Sequence, residues 1–184
     1  MVRGKNSTID ERVYAPDFEL PGIDQQVHHL ARYLEKFRAV GVVFLSDKCP
    51  YVQMYLDRLD QIQTEFKERG FTLIGINAND TTHSQENGLE QMKNFATEHE
   101  IVFPYIKDTA QDVARCFQVK LTPEVFVIDK NYEVCYRGAI DDSPESANSV
   151  KKAYLRDSIA ALLSGKEIEP VKTKVVGTGI EWRV

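Results

Sequence analysis

The stretch from Ala39 to Gly70 constrains the fold of this chain more than any other. Ala39 to Leu45 reads Ala-Val-Gly-Val-Val-Phe-Leu. It is short, β-branched and apolar on both faces, the pattern of a buried central strand of a parallel sheet. Ser46, Asp47 and Lys48 break the run, and Cys49 and Pro50 follow. From Pro50 onward, Val52, Leu56, Leu59, Ile62 and Phe66 recur at helical spacing, which predicts an amphipathic helix. Pro50 suits the first helical turn, where a missing N–H costs nothing, and Gly70 suits the closing cap. Cys49 is thereby expected where a buried strand ends and a helix begins. Backbone N–H groups and the positive end of the helix dipole converge at such a point. That field favours a thiolate over a thiol. The expectation is an ionised sulfur presented at the mouth of an α/β scaffold. The alternative is a small buried hydrophobe without chemistry.

Around this centre the chain alternates. Met1 to Tyr14 reads as a loose arm. Ala15 to Gly22 predicts a short strand with Phe18 and Leu20 facing the core, and Val27 to Leu30 offers it a partner. His28 and His29 are adjacent on that strand, so they point to opposite faces and read as ordinary polar positions. Ala31 to Phe37 predicts a short helix. Phe71 to Ile76 predicts a second buried strand, followed by the polar loop from Asn77 to Thr82 at its carboxyl end, the edge that carries sites in open α/β sheets. A helix is expected from about Glu86 to Glu98, and a strand from Val102 to Ile106 interrupted by Pro104. A short helix is expected from Thr109, as its cap, to Phe117. Val125 to Asp129 and Glu133 to Gly138 predict two strands joined by a tight turn. Leu155, Ile159, Leu162 and Leu163 mark a last helix ended by Gly165. The tail, 166–184, carries Ile180 and Trp182, so it is expected to dock. The domain proper is read as 15–165.

With 184 residues, 42% of them hydrophobic, the chain suffices for one domain with a sizeable core. The net charge is −5, with no run of Lys or Arg, so nothing points to nucleic acid or an anionic membrane surface. The polar N-terminus lacks an apolar signal core, and no apolar run approaches the ~20 residues that span a bilayer. A cytosolic address is the expectation. Three cysteines, Cys49, Cys116 and Cys135, are too few and too widely spaced for a disulfide framework or a zinc site. Asp108, Asp129, Asp141 and Asp142 have no ligand spacing, so no metal is expected, nor any cofactor. Tyr51 and Tyr55, after the cysteine on its helix, read as rim packing.

Strand–Cys–Pro–helix at the front, with Thr122-Pro123 just before a closing hairpin, resembles the thioredoxin fold. That fold is a mixed α/β central sheet with helices on both faces, here with an N-terminal β-hairpin and an extended C-terminal tail. More closely the chain is similar to the redoxin branch, the alkyl hydroperoxide reductase/thiol-specific antioxidant (AhpC/TSA) family of bacterial redoxin-domain proteins. The resemblance runs from about Ala15 to Leu163. It is carried by Ala15-Pro16-Asp17-Phe18-Glu19-Leu20, by Phe44-Leu45-Ser46-Asp47-Lys48-Cys49-Pro50-Tyr51, by Gly75-Ile76-Asn77, by Leu121 to Asp129, and by Tyr136 to Asp142.

The resemblance implies that Cys49 is the attacking cysteine and that Pro123 is the proline whose cis peptide bond lies against it. The Thr122 backbone would then turn toward the sulfur, free to pair with an extended substrate chain. The departures are equally informative. Val52 stands where thioredoxin has its second cysteine, and Ser46 where some close relatives have one. Ser46 and Cys49 fit the end of the peroxiredoxin Pro-x-x-x-Thr/Ser-x-x-Cys pattern, but Val42 replaces its proline. Thr122 and Pro123 stand where the peroxiredoxin arginine would lie. Lys48 is adjacent to the cysteine but expected in solvent. Relatives often carry a cysteine after a glycine near the C-terminus; here Gly177 is followed by Thr178. What the resemblance implies is thiol oxidoreductase activity at one cysteine, antioxidant and peroxiredoxin-like, reducing a peroxide or a protein disulfide. An external thiol of thioredoxin or glutathione type would resolve the product, or else Cys116 or Cys135, both expected as buried fillers. A binding or redox-regulatory module without turnover is the alternative.

Overall fold

The computed structural model describes residues 12–83 and 88–184. Its centre is the predicted one. Strand β3 (Ala39–Phe44) is buried along its whole length, as is β4 (Phe71–Asn77). They pair in parallel, Ala39 opposite Phe71 through Phe44 opposite Ile76. Strand β5 (Tyr105–Lys107) adds in parallel to β4, while β7 (Glu124–Asp129) runs antiparallel to β3 and β8 (Val134–Gly138) antiparallel to β7. The five-stranded mixed sheet has the order β5-β4-β3-β7-β8. An N-terminal hairpin, β1 (Glu19–Pro21) and β2 (Val27–His29), precedes it.

Helices cover both faces, because strands buried on two sides need apolar cover on each. Helices α2 (Pro50–Phe66), α3 (Gly88–Glu98) and α5 (Tyr154–Leu163) pack on one face, around Val43, Leu73, Val125 and Val127. Helices α1 (Leu30–Lys36) and α4 (Asp112–Phe117) pack on the other, around Val42, Ile74, Phe126 and Ile128. There Phe44, Phe117 and Phe126 form an edge-to-face cluster with centroids 4.8 to 5.9 Å apart. Each such buried side chain contributes about 1.5–3 kcal/mol by leaving water. Helix α2 runs into a short 3₁₀ turn, Lys67–Arg69, and ends at Gly70, whose φ of 89° needs a residue without a Cβ.

Several expectations shift. The segment read as an arm up to Tyr14 is paired at its end, with the Val134 N–H donating to the Val13 carbonyl at 2.8 Å and the Ala15 N–H to Tyr132 at 2.7 Å; residues 1–11 lie outside the described residues. Residues 84–87, which include the expected start of α3, also lie outside them. Strand β5 begins only after Pro104, which has no N–H for the ladder, and Val102 is exposed. Thr109 is not the cap of α4. The helix starts at Asp112 behind Gln111, and the Asp108 carboxylate accepts the Ala114 N–H at 2.8 Å. Among the described residues, no helix is long and apolar enough to cross a membrane.

Candidate active site

Cys49 occupies the N-cap of α2, with extended backbone (φ −87°, ψ 117°) and Pro50 next to it in the first turn. The turn that delivers it is built by Ser46. The Ser46 carbonyl accepts the Cys49 N–H at 3.2 Å, and its buried hydroxyl accepts the Lys48 N–H at 3.2 Å and the Asn79 side-chain amide at 2.8 Å. Ser46 therefore shapes the loop under the sulfur. The polar loop after β4 takes part as well: the Asn77 side-chain amide donates to Asp47 at 3.2 Å and to the Tyr105 hydroxyl oxygen at 3.1 Å.

The Thr122-Pro123 peptide bond is cis. The Cys49 thiol donates to the Thr122 carbonyl at 3.2 Å. The Thr122 hydroxyl is buried and has no hydrogen-bond partner. Thr122 is not free to pair with another chain, however. It belongs to β6 (Leu121–Thr122), which is hydrogen-bonded to β9 (Thr178–Gly179) of the tail, Thr122 opposite Thr178. The sulfur is accordingly covered: Cys49 is 1% exposed, not at an open mouth. Two separate facts thus meet at one residue, burial and polar company.

Burial pushes the Cys49 thiol up. Hydrogen bonds from the Thr178 hydroxyl, the Val52 N–H, the Thr122 hydroxyl and the Thr178 N–H outweigh it and bring the net shift below an ordinary thiol. These donors satisfy a thiolate better than a thiol, so they stabilise the charged form. The Thr122 hydroxyl, without another partner, is available to donate to a thiolate. Thr178 is the contributor that sequence reasoning missed as a site residue. The signal was the Gly177-Thr178 pair, whose place beside Cys49 depends on a two-residue strand with no readable period.

The other candidates separate from the site. Val52 is fully buried in the core behind the cysteine, and Lys48 points outward, 4.0 Å from the Glu181 carboxylate of the tail. Cys116 and Cys135 are not buried fillers. Cys116 is exposed, because the face of α4 that packs inward carries Ala114 and Phe117; Cys135 is half-buried on β8. Both line a groove of about 750 Å³ with Phe126 and Arg137, and Cys49 is not among its walls. Burial, with Asp129 and Glu133 adding, pushes the Cys135 thiol up to about 12. Arg137 is spent on Glu124 at 2.7 Å. Tyr55 is more than rim packing: it is buried, its hydroxyl donates to Asp141 at 2.8 Å, and Arg58 donates to the other Asp141 oxygen at 2.7 Å. That cluster pins the loop after β8 to α2, beside a cleft of about 240 Å³ that Pro123 helps to line. Asp129 accepts the Asn131 and Glu133 N–H groups. His28 bonds Asp24 and Tyr33, and His29 pairs with Glu19. Among the described residues, no group of three or more His, Cys, Asp or Glu is placed to hold a metal ion.

A single buried thiol at a helix start, facing a cis-proline turn within a sheet of this order, is the architecture of a thioredoxin-like fold. Residues 13–137 match the AhpC/TSA family, and the chain belongs to it. The thiol-disulfide oxidoreductase ResA of Geobacillus kaustophilus is 27% identical over 120 residues, 65% of this chain and 64% of that protein, a little under two thirds of its length. A hypothetical protein of Sinorhizobium meliloti has a similar architecture, with a TM-score of 0.86, 29% identity and 97% of each chain covered. A thioredoxin-family thiol:disulfide interchange protein of Chlorobium tepidum shares the fold, with a TM-score of 0.65 at 23% identity over 83% of this chain and 97% of the other.

Proposed function

We propose that the protein is a thiol-dependent oxidoreductase in which Cys49 alone carries turnover, reducing a peroxide or a protein disulfide. The observation behind this reading is the Cys49 thiol at the start of α2, 3.2 Å from the Thr122 carbonyl of the cis-proline turn. The activity named for the ResA relative supports the disulfide branch. With a peroxide, the thiolate attacks one oxygen; the S–O bond forms as the O–O bond breaks, and the alkoxide leaves with a proton as an alcohol. An external thiol then condenses with the sulfenic acid, releasing water, and a second thiol attacks the mixed disulfide and regenerates Cys49. With a disulfide, the thiolate displaces one sulfur as a thiolate, and the same external thiols complete the cycle. Val52 and Ser46 at the two usual partner positions, and the remote groove of Cys116 and Cys135, favour external resolution. In the cytosolic setting expected from the sequence, that reductant is of thioredoxin or glutathione type. Pro123 and the Thr122 carbonyl would hold the sulfur in line; Ser46 would hold the turn.

A second reading is a binding or redox-regulatory module without turnover, favoured by the near-complete burial of Cys49. One assay separates the two. Wild type and Cys49→Ser are supplied with hydrogen peroxide or a small disulfide, with thioredoxin or glutathione recycled as donor. Turnover in wild type that is lost in Cys49→Ser supports the oxidoreductase. Equal rates in both proteins, with either oxidant, would leave the module as the answer.

A further inference from the structure

The strand that covers the sulfur has an unusual origin. Strand β6 lies outside the five-stranded sheet, and its pairing partner is β9 of the C-terminal tail. The ladder is antiparallel, with Leu121 opposite Gly179 and Thr122 opposite Thr178, and the Ile180 N–H donates to the Lys120 carbonyl at 3.1 Å. Gly177 approaches so closely that a Cβ there would come within 2.1 Å of the Thr122 carbonyl oxygen, the atom that accepts the Cys49 thiol. The strap is moored at both ends. On one side the Thr173 N–H donates to Arg137 at 3.1 Å, and the Thr173 hydroxyl is 2.6 Å from the Tyr136 hydroxyl. On the other, Glu181 accepts from the Asp80 N–H and the Gln111 side-chain amide, both at 2.8 Å, and Arg183 reaches the Thr109 carbonyl at 3.1 Å. Between these moorings, the pairing beside the sulfur is two residues long.

An edge strand that accepts a short foreign strand by main-chain pairing is a general mode of polypeptide recognition. We propose that Gly177 to Ile180 occupies the β6 edge as an internal stand-in for the extended chain that the family resemblance leads one to expect there, and that a protein disulfide reaches Cys49 only by taking the strap's place. The proposal rests on Cys49 being the reactive thiol. A small oxidant reaches the covered sulfur through a transient opening and leaves the β6–β9 ladder free to close again, because it makes no main-chain pairing there. With the strap displaced, the Cys49 thiolate attacks one sulfur of the incoming disulfide. The new S–S bond forms as the old one breaks, and the second substrate sulfur leaves as a thiolate. Thr178 departs with the strap, so the donors it supplies are traded for main-chain contacts with the substrate.

The test uses the full chain carrying Cys116→Ser, since the exposed Cys116 would also react. An unstructured peptide with one cysteine activated as an aromatic disulfide, and a small aromatic disulfide, are each captured on Cys49. The exchange of the Ile180 amide is then read by hydrogen–deuterium exchange. The expected result is loss of Ile180 protection in the peptide adduct and retention of it in the small adduct. Retained protection in the peptide adduct would overturn the proposal while leaving the reactive cysteine intact. Failure of both reagents to join Cys49 would remove the reading underneath it. Gly177→Ala and Arg183→Glu, which loosen the strap from opposite ends, are expected to speed peptide capture by about tenfold or more, in proportion to the open fraction, with a smaller change for the small disulfide.

Discussion

Thr122→Val separates the two demands that meet at the cysteine. The Thr122 hydroxyl is buried without a hydrogen-bond partner. An unmet buried hydroxyl costs about 1–3 kcal/mol, and its replacement by a methyl group of the same shape is neutral or stabilising. Valine keeps the β-branched backbone preference that suits a strand residue before proline. The main-chain pairing to Thr178 and the carbonyl that faces the sulfur are untouched. The stability gain expected, at a pH where Cys49 is protonated, is about 1 kcal/mol, or about 2–4 °C in Tm for a chain of this size. The opposite holds for reactivity. The lost hydroxyl is one of the donors that lower the Cys49 pKa, and a hydrogen bond to a charged group is worth about 1.5–3 kcal/mol. The titration of the sulfur should therefore move upward and its alkylation at neutral pH should slow. The assays are thermal unfolding and the pH dependence of alkylation by iodoacetamide. A variant both less stable and equally reactive would refute the reasoning, because it would mean that the hydroxyl is satisfied in the thiol form and idle in the thiolate.

Three further outcomes follow from the same contacts. The folded-state pKa of Cys49 lies below the ordinary 9.0, so on raising the pH the native protein releases that proton before the unfolded chain does; stability relative to Cys49→Ser, read by urea unfolding, should rise with pH up to 9.0 and level off above it. Cys135 behaves in reverse: with its thiol pushed up to about 12, its contribution is intact below 9.0 and lost between there and 12, so in native protein it should be the last thiol labelled as the pH is raised, read by mass spectrometry. Arg58→Met leaves the buried Asp141 carboxylate with the Tyr55 hydroxyl but without its cation, and should destabilise by about 3–5 kcal/mol in urea unfolding.

Much of the frame was legible because it is written in long periodic segments. Ala39 to Leu45 and Phe71 to Ile76 match β3 and β4 within one residue, and Pro50 begins α2 in both readings. The cis bond before Pro123 came through the family resemblance, since an X-Pro pair alone favours trans. What escaped was short or distant. The first turn of α4 is tied down by Asp108, a side chain reaching forward across a turn, so a threonine nearby misled. Cys116 faces water because of how a six-residue helix is turned, which one turn of pattern cannot reveal. Thr178 stands opposite Thr122 across 55 intervening residues, and its partner strand is two residues long. Burial of the sulfur follows from that contact and could not be read before it was known.

The most direct test of the central claim is the pH dependence of Cys49 alkylation in the Cys116→Ser protein, with Cys49→Ser as the blank. A rate that reaches its plateau with a midpoint below 9.0 is the predicted result. A midpoint at or above 9.0 would contradict it, since burial would then outweigh every donor that the helix, the Thr122-Pro123 turn and the tail bring to the sulfur.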